Sequence, residues 1–409
     1  MNSTVSYRKE VIGELQSILR YWMEHMPDDR QGGFFGRIDG QGRVHAEAPR
    51  GLVLNSRILW SFSAAYRNTG DWIYLPMARR AYVYLRTRFL DSEYGGAFWS
   101  VAADGTPLET RKQVYGLAFC LYGLSEYYMV TGEQAALETA ISLFRLIEQH
   151  GFDTKRKGYY EAFTRDWQSL DDLRLSEKEP NEQKTMNTHL HVLEAYTNLY
   201  HAWPDALLQQ RIKDLLEVFA LHIVDGSTGH LGLFFGEDWS VRSVGLVSYG
   251  HDIEAAWLLS EAAVVIGDRE WIERMGSLAL RLAGAAAEGL DEDGGLWYER
   301  LREGTEEGVV REGMEDGLVR EKHWWPQAEA MVGFLHAWEI SGEATWYQRS
   351  LASWEFVKRT IRDPVGGEWY WGVAADHSPM PGEDKTGFWK CPYHNSRACL
   401  EVMRRLDRE

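Results

Sequence analysis

Residues 184–196 read KTMNTHLHVLEAY, an asparagine and two histidines within five positions of an apolar run. Such a cluster could hold a metal, move protons, or be two histidines satisfied inside a core. Leu190, Val192, Leu193, Ala195, Tyr196 and Leu199 carry helical spacing, with Thr185 or Asn187 available as the N-cap. On a helix Asn187, His191 and Glu194 share one face, while His189 points about 200° away from Asn187. The zinc-protease pattern of histidines at i and i+4 is not met, because position 187 is Asn. Three scattered cysteines, Cys120, Cys391 and Cys399, add no ligand set. The expectation is a site with no metal and no cofactor.

Other segments carry polar residues that suit a plain core poorly. Arg57 stands in GLVLNSRILW, Tyr115 in KQVYGLAFCLYGLSEYY, and His251 and Glu254 share a face at i, i+3 in SYGHDIEAAWLL. Trp325 and Glu329 are four apart in HWWPQAEAMVGF, and Trp389 and His394 stand in FWKCPYHNSRACLE. Each alone is ordinarily structural; their recurrence at equivalent helix starts is what carries weight. Taking a proton from a carbon next to a carbonyl needs a base that titrates near the working pH, and histidine does, at about 6.5. It also needs a group to hold the enolate oxygen, for which a permanently charged arginine is suited. Inverting a stereocentre asks for a second acid on the opposite face. Glycoside hydrolysis would instead use two carboxylates; Glu254 and Glu329 keep that option open but leave three histidines without a task.

The elements that must position these residues show as a repeat. A phrase of one or two glycines, alternating aromatics and a polar turn begins at Gly32, Gly95, Gly158, Gly229, Gly294 and Gly366. Each phrase reads as a short hairpin. Two helical runs separate successive phrases, as in NSRILWSFSAAYRNTG followed by DWIYLPMARRAYVYLRTRFLD. Two helices per unit exclude a TIM barrel. Six such units predict an all-α (α/α)6 barrel with short β-hairpins between helix pairs, and with no linker in evidence one domain over residues 1–409. Equivalent helix starts would then face one mouth. Two charged stretches, 169–184 and 302–321, interrupt the pattern and are read mainly as solvated loops, with a funnel wall or lid as the functional option.

Composition narrows the partners. The net charge of −17 disfavours nucleic acid and anionic membranes. Eighteen Trp in 409 residues is the stuff of core, and also of sugar-binding clefts. No stretch reaches eighteen apolar residues, and MNSTVSYRKEVIGELQ lacks an apolar signal core, so a soluble, cytoplasmic protein is expected.

The segments KTMNTHLHVLEAYTNLY, SYGHDIEAAWLL, HWWPQAEAMVGF and FWKCPYHNSRACLE closely resemble the cellobiose 2-epimerases of the N-acylglucosamine 2-epimerase superfamily. The resemblance runs from RGLVLNSRILW to the C-terminus. It implies an (α/α)6 barrel, no metal or nucleotide, and conversion of the reducing-end glucose of β-1,4-disaccharides (cellobiose, lactose, mannobiose) to mannose. It implies His251 and His394 as the acid–base pair at C2, Arg57 as the stabiliser of a cis-enediolate, and His191 with Asn187 as the ring opener. It further implies that Glu254 orients a histidine or binds a hydroxyl, and that Tyr115, Trp325, Glu329 and Trp389 form the sugar site. A monomer or weak homodimer is expected. The chain departs from the family at Lys112-Gln113-Val114-Tyr115, where a histidine is expected at position 113. An aldose–ketose isomerase of the mannose isomerase type, an N-acylglucosamine 2-epimerase, an (α/α)6 glycoside hydrolase and an inactive sugar binder are the alternatives.

Overall fold

The computed structural model describes residues 3–242, 245–301 and 314–407. Its helices are α1 Ser3–His25, α2 Leu52–Thr69, α3 Leu75–Tyr84, α4 Val114–Thr131, α5 Gln134–Leu146 and α6 Met186–Ala202. They continue as α7 Ala206–Val218, α8 Tyr249–Ile266, α9 Arg269–Ala286, α10 Trp324–Ser341, α11 Ala344–Phe356 and α12 Tyr393–Leu406. The even-numbered helices form an inner ring in which α2, α4, α6, α8, α10 and α12 each pack on the next, and α12 closes back onto α2. The odd-numbered helices pack outside them. Five inner–outer pairs are consecutive in the chain; the sixth is made by the two ends, α12 against α1.

The sequence explains which helix goes where. The inner α4 is apolar nearly all round, and residues 114–127 are all buried. The outer α9 buries only the stripe Met275, Leu278, Ala279, Leu282, Ala283, Ala285 and Ala286, so it covers one face. A glycine at positive φ stops α2, α4, α8 and α10, at Gly70, Gly132, Gly267 and Gly342.

The short strands tie the units together. Across the glycines that open each phrase one antiparallel bridge turns the chain back, for example Leu90 with Ala97 and Phe152 with Tyr159. The two residues before an inner helix then pair with the next phrase: Lys112–Gln113 with Ala162–Phe163, Lys184–Thr185 with Phe234–Phe235, and Lys322–His323 with Gly372–Val373. Ion pairs made by buried cations fasten four of these joints. Arg50 meets Asp28 at 2.5 Å, Lys112 meets Asp91 at 2.8 Å, Lys184 meets Asp153 at 2.8 Å and Lys322 meets Asp291 at 2.7 Å. Breaking one would strand a buried charge, a far larger loss than that of a surface pair. The effect is to fix the first turns of α2, α4, α6 and α10, where several of the polar residues of interest lie.

Candidate active site

Thr185 is the N-cap that starts α6, its side chain accepting from Thr188 N at 3.1 Å. The two histidines of KTMNTHLHVLEAY then part, and they differ in kind. His189 is fully buried; its Nδ1 lies 2.6 Å from Thr185 O and its Nε2 accepts from Tyr159 N at 2.7 Å. A carbonyl only accepts and an amide only donates, so the ring is fixed neutral with its proton on Nδ1. Burial agrees, pushing its pKa down to about 3. His189 is a strut.

His191 faces the barrel axis and bonds through Nδ1 to Glu194 Oε2 at 2.9 Å. Burial tends to raise the Glu194 pKa, but Arg397, His191 and Tyr393 outweigh it and hold the carboxylate at about 2. The ionised acid accepts, so the His191 proton sits on Nδ1 and Nε2 is left basic. Tyr115 and Phe119 pack against the ring at 5.2 and 4.7 Å between centroids.

Across the barrel, His394 Nδ1 lies 2.8 Å from Glu329 Oε1, while Trp257 Nε1 donates to Glu329 Oε2 at 3.1 Å. Burial first, then the charges of Arg57 and Arg397, hold the His394 pKa well below its ordinary value. The ring is therefore neutral and ready to accept a proton. His251 is half-buried at the start of α8, its Nδ1 2.8 Å from Ser248 Oγ. The indole of Trp325 touches both imidazoles, at 4.6 Å from His251 and 5.7 Å from His394 between centroids. Gly250 makes room for it, since a Cβ there would fall 2.6 Å from the Trp325 ring.

Arg57 is buried beneath this group, with Nη2 donating to Tyr115 OH at 2.9 Å. Its guanidinium lies over the rings of Phe119 at 4.1 Å and Tyr393 at 4.7 Å. Asn187 is half-buried one turn before His191. Trp389 is half-buried on the opposite rim, 6.0 Å from Tyr115 and 5.9 Å from Trp99 between centroids. It lines a cavity of about 610 Å³ with Trp99, Phe388, Arg111 and residues of the first charged loop, among them Arg174, Leu175 and Ser176. Leu173 and Leu175 are buried, so this stretch is wall more than solvated loop. Residues 302–313 of the second charged stretch lie outside the described residues.

A residue without an assigned role in the sequence reading occupies the floor. Arg397, three positions after His394, is buried and donates through Nη2 to Glu254 Oε1 at 2.6 Å and Glu329 Oε1 at 2.7 Å. Its Nη1 bonds Glu194 and Tyr393. One guanidinium thus joins the His191–Glu194 and His394–Glu329 pairs. Its signal was the one that drew attention to Arg57, an arginine in the first turns of an otherwise apolar inner helix. Glu254, Glu329 and His394 offer atoms within 4.8 Å of one another, a spacing that could hold a cation. Arg397 already supplies positive charge to both carboxylates. Burial and the neighbouring Glu329 push Glu254 up to about 8, and burial raises Glu329 too, against the pull of Arg397 on both. The Glu329 oxygen that faces His394 Nδ1 is also held by Arg397.

The sequence matches the family model of N-acylglucosamine 2-epimerase (GlcNAc 2-epimerase) over residues 33–398, and the chain belongs to that family. It is 48% identical to the cellobiose 2-epimerase of Bacteroides fragilis over 97% of this chain and 98% of that one. The structure of cellobiose 2-epimerase from Bacillus thermoamylovorans superposes with a TM-score of 0.90 at 39% identity, covering 98% of this chain and 99% of that one. The D-mannose isomerase of Marinomonas mediterranea is more distant, 24% identical over 92% of each chain.

Proposed function

We propose that the protein is a cellobiose 2-epimerase, interconverting glucose and mannose at the reducing end of β-1,4-disaccharides. The observation that carries this reading is the grouping of His251 and His394 about one indole, Trp325, with the Arg57 guanidinium buried nearby. The relatives named cellobiose 2-epimerase, matched over nearly the full chain, support it.

His191, its Nδ1 proton turned to Glu194, would take the anomeric hydroxyl proton on Nε2 and pass it to the ring oxygen as the C1–O5 bond breaks, assisted by Asn187. One of His251 and His394 then removes the C2 proton of the open-chain aldose. Electron density moves to O1, and the resulting cis-enediolate is held by Arg57, with Tyr115 fixing the guanidinium. The other imidazole, which must enter this step protonated from solvent, gives its proton to C2 on the opposite face and ends neutral, and ring closure gives the epimer. Negative charge on the enediolate raises the basicity of a neighbouring buried imidazole, offsetting its depressed pKa at the moment a proton moves. Glu329 keeps the His394 proton on Nδ1 and is a positioning residue in this scheme; Glu254 helps hold Arg397.

Glycoside hydrolysis fits less well. Glu254 and Glu329 are each 1% exposed and share one Arg397 nitrogen, so neither is disposed to flank a glycosidic bond. The same proposal has the chain working as one (α/α)6 domain over residues 1–409, in the cytoplasm, without metal or cofactor, as a monomer or weak homodimer that takes no nucleic acid or membrane partner. Its charge of −17 accords with that, and no described helix is long and apolar enough to cross a membrane.

Incubation with cellobiose in D2O, followed by NMR, tests the activity. The expected product is glucosyl-β-1,4-mannose carrying deuterium at C2. A ketose as the sole product would make the protein an aldose–ketose isomerase, and no exchange at C2 would overturn both readings.

A further inference from the structure

Gln113 is 1% exposed, immediately before α4 and two residues from Tyr115. Its Nε2 donates to two carbonyls in the first charged loop, Leu173 O at 3.2 Å and Arg174 O at 3.0 Å. Its Oε1 is buried without a partner, so the amide's bonding is spent on the loop alone. Arg111 adds a bond from Nη1 to Arg174 O at 3.0 Å, and its guanidinium lies 5.4 Å from the Trp99 ring. At its other end the loop is braced by Asn181, which accepts from Leu173 N at 2.9 Å and donates to Asp171 O at 2.7 Å.

The segment so held forms one side of the 610 Å³ cavity, with Asp172, Arg174, Ser176 and Glu177 opposite the aromatic side of Trp99, Phe388 and Trp389. A pyranose has that same division, an apolar face for an indole and hydroxyl edges for polar groups. The cavity adjoins the histidine site through Trp389 and Tyr115, placing it where the sugar remote from the reacting carbon would lie. We propose that Gln113 is a positioning residue that sets the Leu173–Glu177 wall, and through it the choice among disaccharides. This rests on the epimerase reading above. Gln113 touches no reacting atom, so its effect belongs to binding of the distal sugar and not to proton transfer at C2.

The experiment measures kcat and KM of Gln113→Leu on cellobiose, lactose and β-1,4-mannobiose, and kcat/KM on free glucose and mannose. Loss of two hydrogen bonds of about 1 kcal/mol each should raise disaccharide KM by roughly 5–30-fold. The rise should be unequal, shifting the cellobiose-to-lactose preference, while kcat and monosaccharide turnover stay within about twofold. Asn181→Ala loosens the loop from its exposed end without touching α4, and should give the same selective change where Gln113→Leu fails to fold. Unchanged disaccharide KM and preference, or monosaccharide and disaccharide turnover falling together, would overturn the proposal. Failure of the wild type to epimerise any of the three would sink the parent reading instead.

Discussion

His394 Nδ1 and Glu329 Oε1 lie 2.8 Å apart, on two inner helices whose sequence positions differ by sixty-five. That bond decides which nitrogen of the imidazole can work. With Glu329 accepting, Nδ1 keeps its hydrogen and Nε2 becomes the base. Arg397 in turn holds Glu329, so the tautomer of His394 is set from below the site rather than by the substrate.

His394→Asn and His251→Asn should each lower turnover by about 10²–10⁴-fold, the usual worth of a positioned acid or base. Glu329→Gln should cost about 10²-fold or more, because an amide can donate to Nδ1 and favour the wrong tautomer. The pH profile gives a second readout. A base whose pKa is depressed stays neutral further into acid, so the acid limb of kcat/KM should fall below pH 6.5. Near-normal rates in either histidine variant would remove that residue from the mechanism.

Much of the fold was legible in the sequence. The glycine phrases gave the six units, and the polar residues at helix starts gave the mouth of the barrel. What could not be read there were relations between elements. His189 and His191 are chemically alike on paper; only Tyr159 N, thirty residues away, makes one of them a strut. Arg397 is visible as an arginine among apolar residues, but its three carboxylates come from α6, α8 and α10, and nothing local states that these converge. The aspartates and lysines at the unit joints recur at regular places too, yet their pairing appears only once the outer helix lies beside the inner one. The last helix pair is beyond local reading altogether, since its members are the two chain ends.

The proposed metal independence is testable at the same floor. Arg397 already places its positive charge against Glu254 and Glu329, so a divalent ion would meet repulsion where these side chains and His394 could otherwise ligate it. Activity should survive exhaustive EDTA treatment. Loss that one specific divalent ion restores would contradict this.

Glu161 offers a test of stability apart from catalysis. It is buried, accepting from Thr185 N at 2.7 Å and Thr188 Oγ1 at 2.5 Å, and burial pushes its pKa up to about 8. The folded form therefore holds a proton that the unfolded form releases near pH 4.5. The stability tied to that proton is full below pH 4.5 and is lost as pH rises toward 8. Glu161→Gln should thus raise Tm over wild type by about 2 °C or more at pH 8, with a smaller difference at pH 5. A difference independent of pH would show that Glu161 is ionised in the fold.

Arg57 is asked to act on charge that develops in the transition state. Arg57→Ala should lower kcat by about 10²-fold or more with little change in KM. Lysine should rescue poorly, because it lacks the planar fork that meets Tyr115 while facing an oxygen, and the flat face that rests on Phe119. An effect on KM alone would reduce Arg57 to a binding residue.

Trp389 separates one sugar from two. It stands five residues before His394, half-buried, with its indole among Trp99, Phe388 and Tyr115 at the junction of the histidine site and the outer cavity. Three aromatic neighbours would suit a core residue equally well, so the distinction must come from which substrate suffers. If the exposed part of the indole stacks on the non-reducing pyranose, with Trp325 under the reducing end, its removal costs a contact made only by disaccharides. Such a contact is worth about 1–2 kcal/mol, or roughly 5–30-fold. Trp389→Ala should raise KM for cellobiose by about that factor and leave the slower turnover of glucose or mannose nearly unchanged. Packing, by contrast, would be lost to every substrate alike: monosaccharide and disaccharide rates falling together, with a lowered Tm, would show that Trp389 supports the rim and does not bind the sugar.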